Sequence, residues 1–300
     1  RQGSRQAMTR YDELVTARQE WHMPERKRSV YRDPVTDTPL AAQLYGLCGF
    51  IGSGKNTAGE TLISMTNGKP LSFASPLKDA VSVIFGWPRD LVEGTTQVAR
   101  AWREQPDAYW SEAFGRPITP RIILQEMGTD VCRSWLNDIW VQAAARRHEP
   151  PQTSIFTDAR FGNEMQWIAS QGGTLVWVYR PNASSLTPED AHLIDEKVTQ
   201  NARLLPFTLH SKLHASETSF LTEGADMLHV VVRNTGTLDD LDAMMRHLQL
   251  TLVDGKHLTL PWGETTIYLS REDKQFVWIW RDPDTNEQQG RRYNARHQRL

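Results

Sequence analysis

Cysteine is almost missing from this 300-residue chain: Cys48 and Cys132 are its only two. Two cysteines build no disulfide framework, and neither stands at metal-ligand spacing from another Cys or His, so both are expected as buried, reduced thiols. Long apolar runs are missing as well. No stretch approaches the ~20 residues of a membrane-spanning helix, and no apolar signal segment opens the sequence. The expectation is a cytoplasmic chain with no membrane partner. An excess of one charge is also absent. Lys and Arg total 34 against 36 Asp and Glu, a formal net charge of −2, so no global basic field argues for nucleic acid. Hydrophobic residues make up 39% of the chain, enough to build a core for one large domain with appendages or for two small ones.

The most informative stretch is Gly49-Phe50-Ile51-Gly52-Ser53-Gly54-Lys55-Asn56-Thr57. It follows an apolar run, 44 to 48, that reads as a buried strand, and it precedes 58 to 65, which reads as a helix. Strand, glycine loop and helix in that order form a phosphate-binding loop. Glycines let the backbone turn tightly with its N–H groups inward, the helix N-terminus adds partial positive charge, and Lys55 can reach the outer phosphates of a nucleotide. A nucleoside triphosphate is the implied ligand, with Gly49, Gly52, Ser53, Gly54, Lys55, Asn56 and Thr57 as its contacts. Asn56 stands where a Ser or Thr usually offers a hydroxyl to Mg²⁺, and Thr57 comes one place later. In this respect the loop is similar to those of nucleoside monophosphate kinases such as adenylate kinase, which points toward small-molecule kinases and away from GTPases.

Residues 1–40 read as a polar N-terminal arm with one helical stretch around 11–21 and a charged run at 25–28. From 41 to 250 the chain alternates strand-like segments (43–48, 71–73, 153–157, 174–179, 227–232) with helix-like ones (55–66, 76–86, 129–146, 162–171, 238–249). Repeated β-α units with near-continuous apolar strands predict a parallel sheet covered on both faces. Two regions interrupt the rhythm. Residues 88–121 carry Arg89, Arg100, Arg103, Arg116 and Arg121, and 182–222 is polar with Arg203 and Lys212. Such insertions at the strand-end edge suit substrate-binding and lid elements, and the arginines as a group suit phosphate clamping. Residues 251–300 read as a small β appendage: a turn at Asp254-Gly255, strands near 265–269 and 275–280, and a tail with Arg291, Arg292, Arg296 and Arg299. Trp278 and Trp280 fit a core face of a strand better than a base-stacking platform.

A second chemical signal is Ser154-Ile155-Phe156-Thr157-Asp158-Ala159-Arg160-Phe161. An apolar strand ending in Asp158 places a carboxylate at the carboxyl edge of the sheet beside the glycine loop, where it could hold Mg²⁺ directly or through water. Arg160 falls near the same edge and could bind a phosphate.

Several motifs in one order carry a family resemblance: GFIGSGKNT at 49–57, FASPLKD at 73–79, PRIILQEMGTDVCR at 120–133 followed by Trp140, TDARFGNE at 157–164, VYRP at 178–181, HASE at 214–217 and RNTGTLDDL at 233–241. Over most of 43–250 the chain resembles the deoxynucleoside monophosphate kinases of tailed bacteriophages. The resemblance implies an α/β, three-layer P-loop nucleotide-kinase fold, ATP with Mg²⁺ as donor and a deoxynucleotide 5′-monophosphate as acceptor. It implies that Lys55 and the loop amides hold the ATP phosphates, with Thr57 and Asp158 serving Mg²⁺ and Asn234 near the adenine. Lys78, Arg121, Gln125, Arg133, Asp158 and Arg160 then surround the acceptor, and Lys55, Asp158, Arg160 and Arg133 carry the catalysis. Gln125 is undecided between base contact and helix packing. The rival readings are a phage P-loop kinase that phosphorylates 5-hydroxymethyluracil in DNA, with Asp158 as base, and a non-catalytic ATP-binding module. A homodimer stays open.

Overall fold

Successive side chains of a strand point to opposite faces, and the apolar strands of this chain use both. β3 (Leu44–Cys48) is buried along its whole length, with Leu44 and Cys48 in one core and Tyr45 and Leu47 in another. β6 (Thr174–Tyr179) divides likewise, Leu175, Trp177 and Tyr179 to the first core and Val176 and Val178 to the second. Strands apolar on both faces need cover on both, which parallel pairing through crossover helices provides.

The computed structural model describes residues 43–181, 183, 186–200, 206–211, 213–253, 265–269, 275–281, 287–294 and 296, with the backbone of 31–32 and 39–40. The expected helix at 11–21, the run at 25–28, Arg203, Lys212, the turn at 254–255 and Arg299 lie outside the described residues, as does the side chain of Trp280. The chain divides into two units, 1–41 and 42–300. In the first, β1 (Tyr31–Arg32) pairs antiparallel with β2 (Pro39–Leu40).

The second unit is built on one eight-stranded sheet in the order β10-β9-β8-β7-β6-β3-β5-β4. β4 (Lys69–Leu71), β5 (Ser154–Phe156), β3, β6 and β7 (Val230–Arg233) form a parallel core. β8 (Thr265–Leu269) continues it in parallel beside β7, and β9 (Phe276–Arg281) and β10 (Gln288–Tyr293) close it antiparallel. The strands expected as a C-terminal β appendage thus extend the central sheet.

Helices make the outer layers. α1 (Lys55–Thr66) and α12 (Leu238–Val253) cover one face through Ala58, Leu62, Leu241, Met244 and Leu248. α2 (Ser75–Phe85), α8 (Ile139–Ala145), α9 (Gly162–Ser170), α10 (Pro188–Gln200) and α11 (Ala215–Thr222) cover the other, with Leu77, Trp140, Ile168, Ile194 and Phe220 among the contacts. The mixed α/β, three-layer arrangement is that of a P-loop kinase fold. Between α2 and α8 stand the short helices α3 (Arg89–Glu93), α4 (Gln97–Arg103), α5 (Ala108–Phe114) and α6 (Pro120–Gln125).

One expected helix, 129–146, is broken. A π-helical turn runs over Glu126–Val131, α7 covers only Cys132–Trp135, and Leu136 is extended at φ −153°, ψ 111° before α8 begins. Polar tertiary contacts hold the break open: the Asn137 carbonyl accepts from Arg133 and from Asn163, each at 3.1 Å. Helical periodicity cannot register such contacts.

Candidate active site at the carboxyl edge of the sheet

The loop between β3 and α1 adopts backbone angles that only glycine takes readily. Gly49, Gly52 and Gly54 have φ of 138°, 79° and 101°, in the region that side chains disfavour. At Gly49 a Cβ would stand 2.4 Å from the Val178 carbonyl oxygen of β6, so the loop folds directly onto the sheet. The first amides of an α-helix have no partner within it, and α1 has neither a side-chain cap nor an acidic residue in its first turn. An uncapped N-terminus at the end of a buried parallel strand presents N–H groups and partial positive charge to an anion. The Ser53 hydroxyl is buried inside the loop without a hydrogen-bond partner.

Lys55 curls over this loop and donates to the carbonyls of Gly49 and Phe50, both at 2.6 Å. Burial, reinforced by the nearby charge of Arg160, pulls its pKa down to about 8. Beneath it Cys48 is fully buried and its thiol is pushed up to about 12 by that burial, so it stays protonated and unreactive, as expected. Arg160 stands on the loop after β5, the strand next to β3. Among the described residues its one side-chain hydrogen bond, to the Ser216 carbonyl, is long at 3.5 Å. Two cations therefore stand at the uncapped helix end, and among the described residues their hydrogen-bond acceptors are backbone carbonyls.

Asp158 is held firmly. One carboxylate oxygen accepts from the Ser72 hydroxyl at 2.6 Å and the Ala74 N–H at 3.0 Å, and the other from the Phe73 N–H at 3.1 Å. Two ionised oxygens offer about four acceptor directions, so little capacity is left for direct metal binding. Together with the half-buried Thr57 in the first turn of α1, it suits an Mg²⁺ held through water. Asp158 also fastens the start of α2 to the sheet edge. Behind it Thr157 packs against α1 where Gly59 leaves room: a Cβ there would stand 2.3 Å from the Thr157 methyl.

Among the residues expected at a donor, Asn234 is turned inward. It is 2% exposed, and its amide donates to the Ser53 carbonyl at 2.8 Å. It clamps the glycine loop to the end of β7. Asn56 is exposed on α1.

Three of the residues expected around an acceptor are each ion-paired to a carboxylate. Lys78 pairs with Glu93 and Arg121 with Glu104. Gln125 ends α6 half-buried. Arg133 is committed to Glu164 at 2.6 Å with 9% and 4% of the two side chains exposed, and its guanidinium lies 3.9 Å from the centre of the Phe161 ring. Glu164, unassigned from the sequence, also accepts from the backbone N–H groups of Arg160 at 2.9 Å and Phe161 at 3.2 Å. Burial pushes its carboxyl up to about 7 against the pull of Arg133. A signal for it existed: a Glu three residues beyond a helix N-cap commonly reaches back to the cap's N–H. Lys55, Asp158 and Arg160 are thus brought together, while Arg133 stands one layer behind them.

Among the described residues no group of three or more His, Cys, Asp or Glu is placed to hold a metal, and no helix is long and apolar enough to cross a membrane. No protein-family model matches the chain. Among curated proteins it is similar to one of Acanthamoeba polyphaga mimivirus, named "Putative deoxynucleotide monophosphate kinase", with 34% identity over 164 residues covering 50% of this chain and 78% of that protein. With that share of the relative spanned, and a glycine loop, Lys55 and Asp158 set at neighbouring strand ends of a three-layer sheet, the chain belongs to the nucleotide-kinase family that the mimivirus protein represents.

Proposed function

We propose that the protein transfers the γ-phosphoryl group of ATP to the 5′-phosphate of a deoxynucleoside monophosphate. One observation carries the reading: Lys55 and Arg160 stand at the uncapped N-terminus of α1, and among the described residues their side chains donate hydrogen bonds to backbone carbonyls alone. That arrangement suits a polyphosphate, and the name of the mimivirus relative suits a deoxynucleotide acceptor.

An acceptor phosphate is already a competent nucleophile, so the protein's part is positioning and charge neutralisation. ATP with Mg²⁺, when bound, supplies the activated phosphoryl group. The N–H groups of the loop and of the first turn of α1 orient the phosphate chain. Lys55, released from its carbonyls, and Arg160 stabilise charge as it shifts toward the leaving oxygen. Thr57 and Asp158 would hold the hydrated metal, and Asp158 keeps the first turn of α2 in register with the loop. No general base is required, and Asp158, already accepting from Ser72, Phe73 and Ala74, is poorly placed to act as one. This weakens the rival in which a hydroxyl of DNA is phosphorylated.

The test incubates the protein with γ-labelled ATP and Mg²⁺, offering each deoxynucleoside monophosphate in one set and duplex DNA with and without 5-hydroxymethyluracil in another. Label in a deoxynucleoside diphosphate is the expected result. Label in the modified DNA alone would replace the reading, and ATP bound but never consumed would leave a binding module.

A further inference from the structure

Five arginines lie between residues 88 and 121, and the structure separates them. Arg89 binds Asp79 at 2.7 Å and Glu93 at 2.6 Å. Arg100 donates to the carbonyls of Gly94 at 3.2 Å and Thr95 at 2.9 Å. Arg116 holds Glu126 at 2.6 Å, and Arg121 pairs with Glu104. Arg103 differs from all four: among the described residues it has no ion pair, and its Nε is buried without a hydrogen-bond partner.

The surroundings of Arg103 are those of a cation awaiting an anion. Its guanidinium lies against Gly94, where a Cβ would stand 2.2 Å from Cζ and 2.4 Å from Nη2. Gly94 is the left-handed cap of α3 at φ 70°, and Arg100 fixes its carbonyl. The acidic groups nearby are already engaged, Glu93 by Lys78 and Arg89 and Glu104 by Arg121. Burial, and then the like charge of Arg121, push the Arg103 pKa down. Glu104 and Glu93 pull it up more weakly from beyond hydrogen-bond reach, and a charge held partly out of water without a hydrogen-bonded partner costs free energy that an entering anion would offset. The planar guanidinium fork matches a phosphate in two-point geometry.

The place in the fold fits the acceptor. Glu93, beside Arg103, is bound by Lys78 one turn into α2, and α2 begins at the segment 72–74 that Asp158 holds to the sheet edge. We propose that Arg103, with Arg121 beside it, binds the phosphate monoester of the acceptor nucleotide, an inference that rests on the mononucleotide-kinase reading above. Arg133, buried against Glu164, is then a positioning residue that acts through the loop carrying Arg160.

The experiment compares the full chain with Arg103→Met and Arg103→Lys by steady-state kinetics, by calorimetric binding of 2-deoxyribose 5-phosphate, and by thermal melting. Arg103→Met is expected to raise the acceptor KM at least about tenfold, with the KM for ATP changing less than about twofold, and Arg103→Lys to fall between. Affinity for 2-deoxyribose 5-phosphate should drop in step, and the melting temperature should not fall, because no protein partner is lost. Unchanged acceptor KM and unchanged sugar-phosphate affinity in Arg103→Met would overturn the assignment, as would a lowered melting temperature with equal losses for ATP and acceptor. Should the wild-type protein phosphorylate no mononucleotide, the functional reading fails separately. The Arg103 site then stands if 2-deoxyribose 5-phosphate binds in an Arg103-dependent way, and falls if it does not.

Discussion

Arg133 donates to Glu164 across 2.6 Å with both side chains almost removed from solvent. The same carboxylate receives the backbone N–H groups of Arg160 and Phe161, so the pair sets the path of the loop on which Arg160 stands. Removing one partner of a buried ion pair strands the other. Arg133→Ala is expected to lower stability by ~3 kcal/mol or more, read from urea denaturation. A variant of full stability that loses only acceptor affinity would return Arg133 to the substrate clamp.

Lys55 links the site to pH. Burial and Arg160 hold its pKa at about 8, below the ordinary lysine value, so the free protein favours the neutral amine as pH rises past 8. A bound polyphosphate favours the ammonium. ATP binding at a pH above 8 should therefore take up protons and weaken as pH rises further. Calorimetry in two buffers of different ionisation enthalpy reads the uptake, and Lys55→Met should abolish it. Binding without proton exchange in the wild-type protein would mean that Lys55 does not meet the phosphates. Lys55→Ala should cost roughly 3 kcal/mol in the barrier to turnover, a loss on the order of a hundredfold.

Two glycines separate backbone strain from collision. Gly86 caps α2 at φ 71° with no atom within 4 Å of a Cβ, whereas at Gly49, φ 138°, a Cβ would meet the Val178 carbonyl at 2.4 Å. Gly86→Ala should cost only ~1 kcal/mol, the penalty of a left-handed side chain. Gly49→Ala has a backbone carbonyl in its way and should cost several-fold more, abolishing nucleotide binding. Melting curves of the two variants side by side check the contrast.

The C-terminal strands make a further prediction. Phe276, Trp278 and Tyr293 are buried in the core that α12 covers, and Trp278 donates to His247 Nε2 at 2.6 Å. A chain cut after Leu250 would bare the β7 edge and that face, so it should fail to fold. Trp278→Ala alone should cost ~3–5 kcal/mol. Sedimentation and circular dichroism of the truncated chain decide the point: a folded monomer retaining activity would make 251–300 peripheral.

What could be read from the sequence follows what is local. β3, α1, β6 and α9 stand within a residue of their expected bounds, because apolar continuity, the glycine loop and the two glycines that follow α9, with Gly172 at φ 73°, act over a few residues. β10 has no such signal: Gln288-Gln289-Gly290-Arg291-Arg292 lacks apolar alternation and becomes a strand through its register with β9. The site divides in the same way. Lys55, Asp158 and Arg160 stand together because strand ends place them, whereas Asn234, expected near adenine, is drawn onto Ser53 by a contact spanning 181 positions. The isolation of Arg103 likewise depends on where the neighbouring carboxylates went.

Among the described residues the eight-stranded sheet ends in two unpaired rims, and each is unsuited to adding another strand. At one, β4 is only three residues long and centred on Pro70, which has no N–H to offer. At the other, β10 turns Gln288, Gln289, Gly290 and Arg292 toward solvent. A charge on an edge strand opposes the edge-to-edge recruitment of a second chain, so the position of Arg292 on that rim has a physical rationale that involves no nucleic acid.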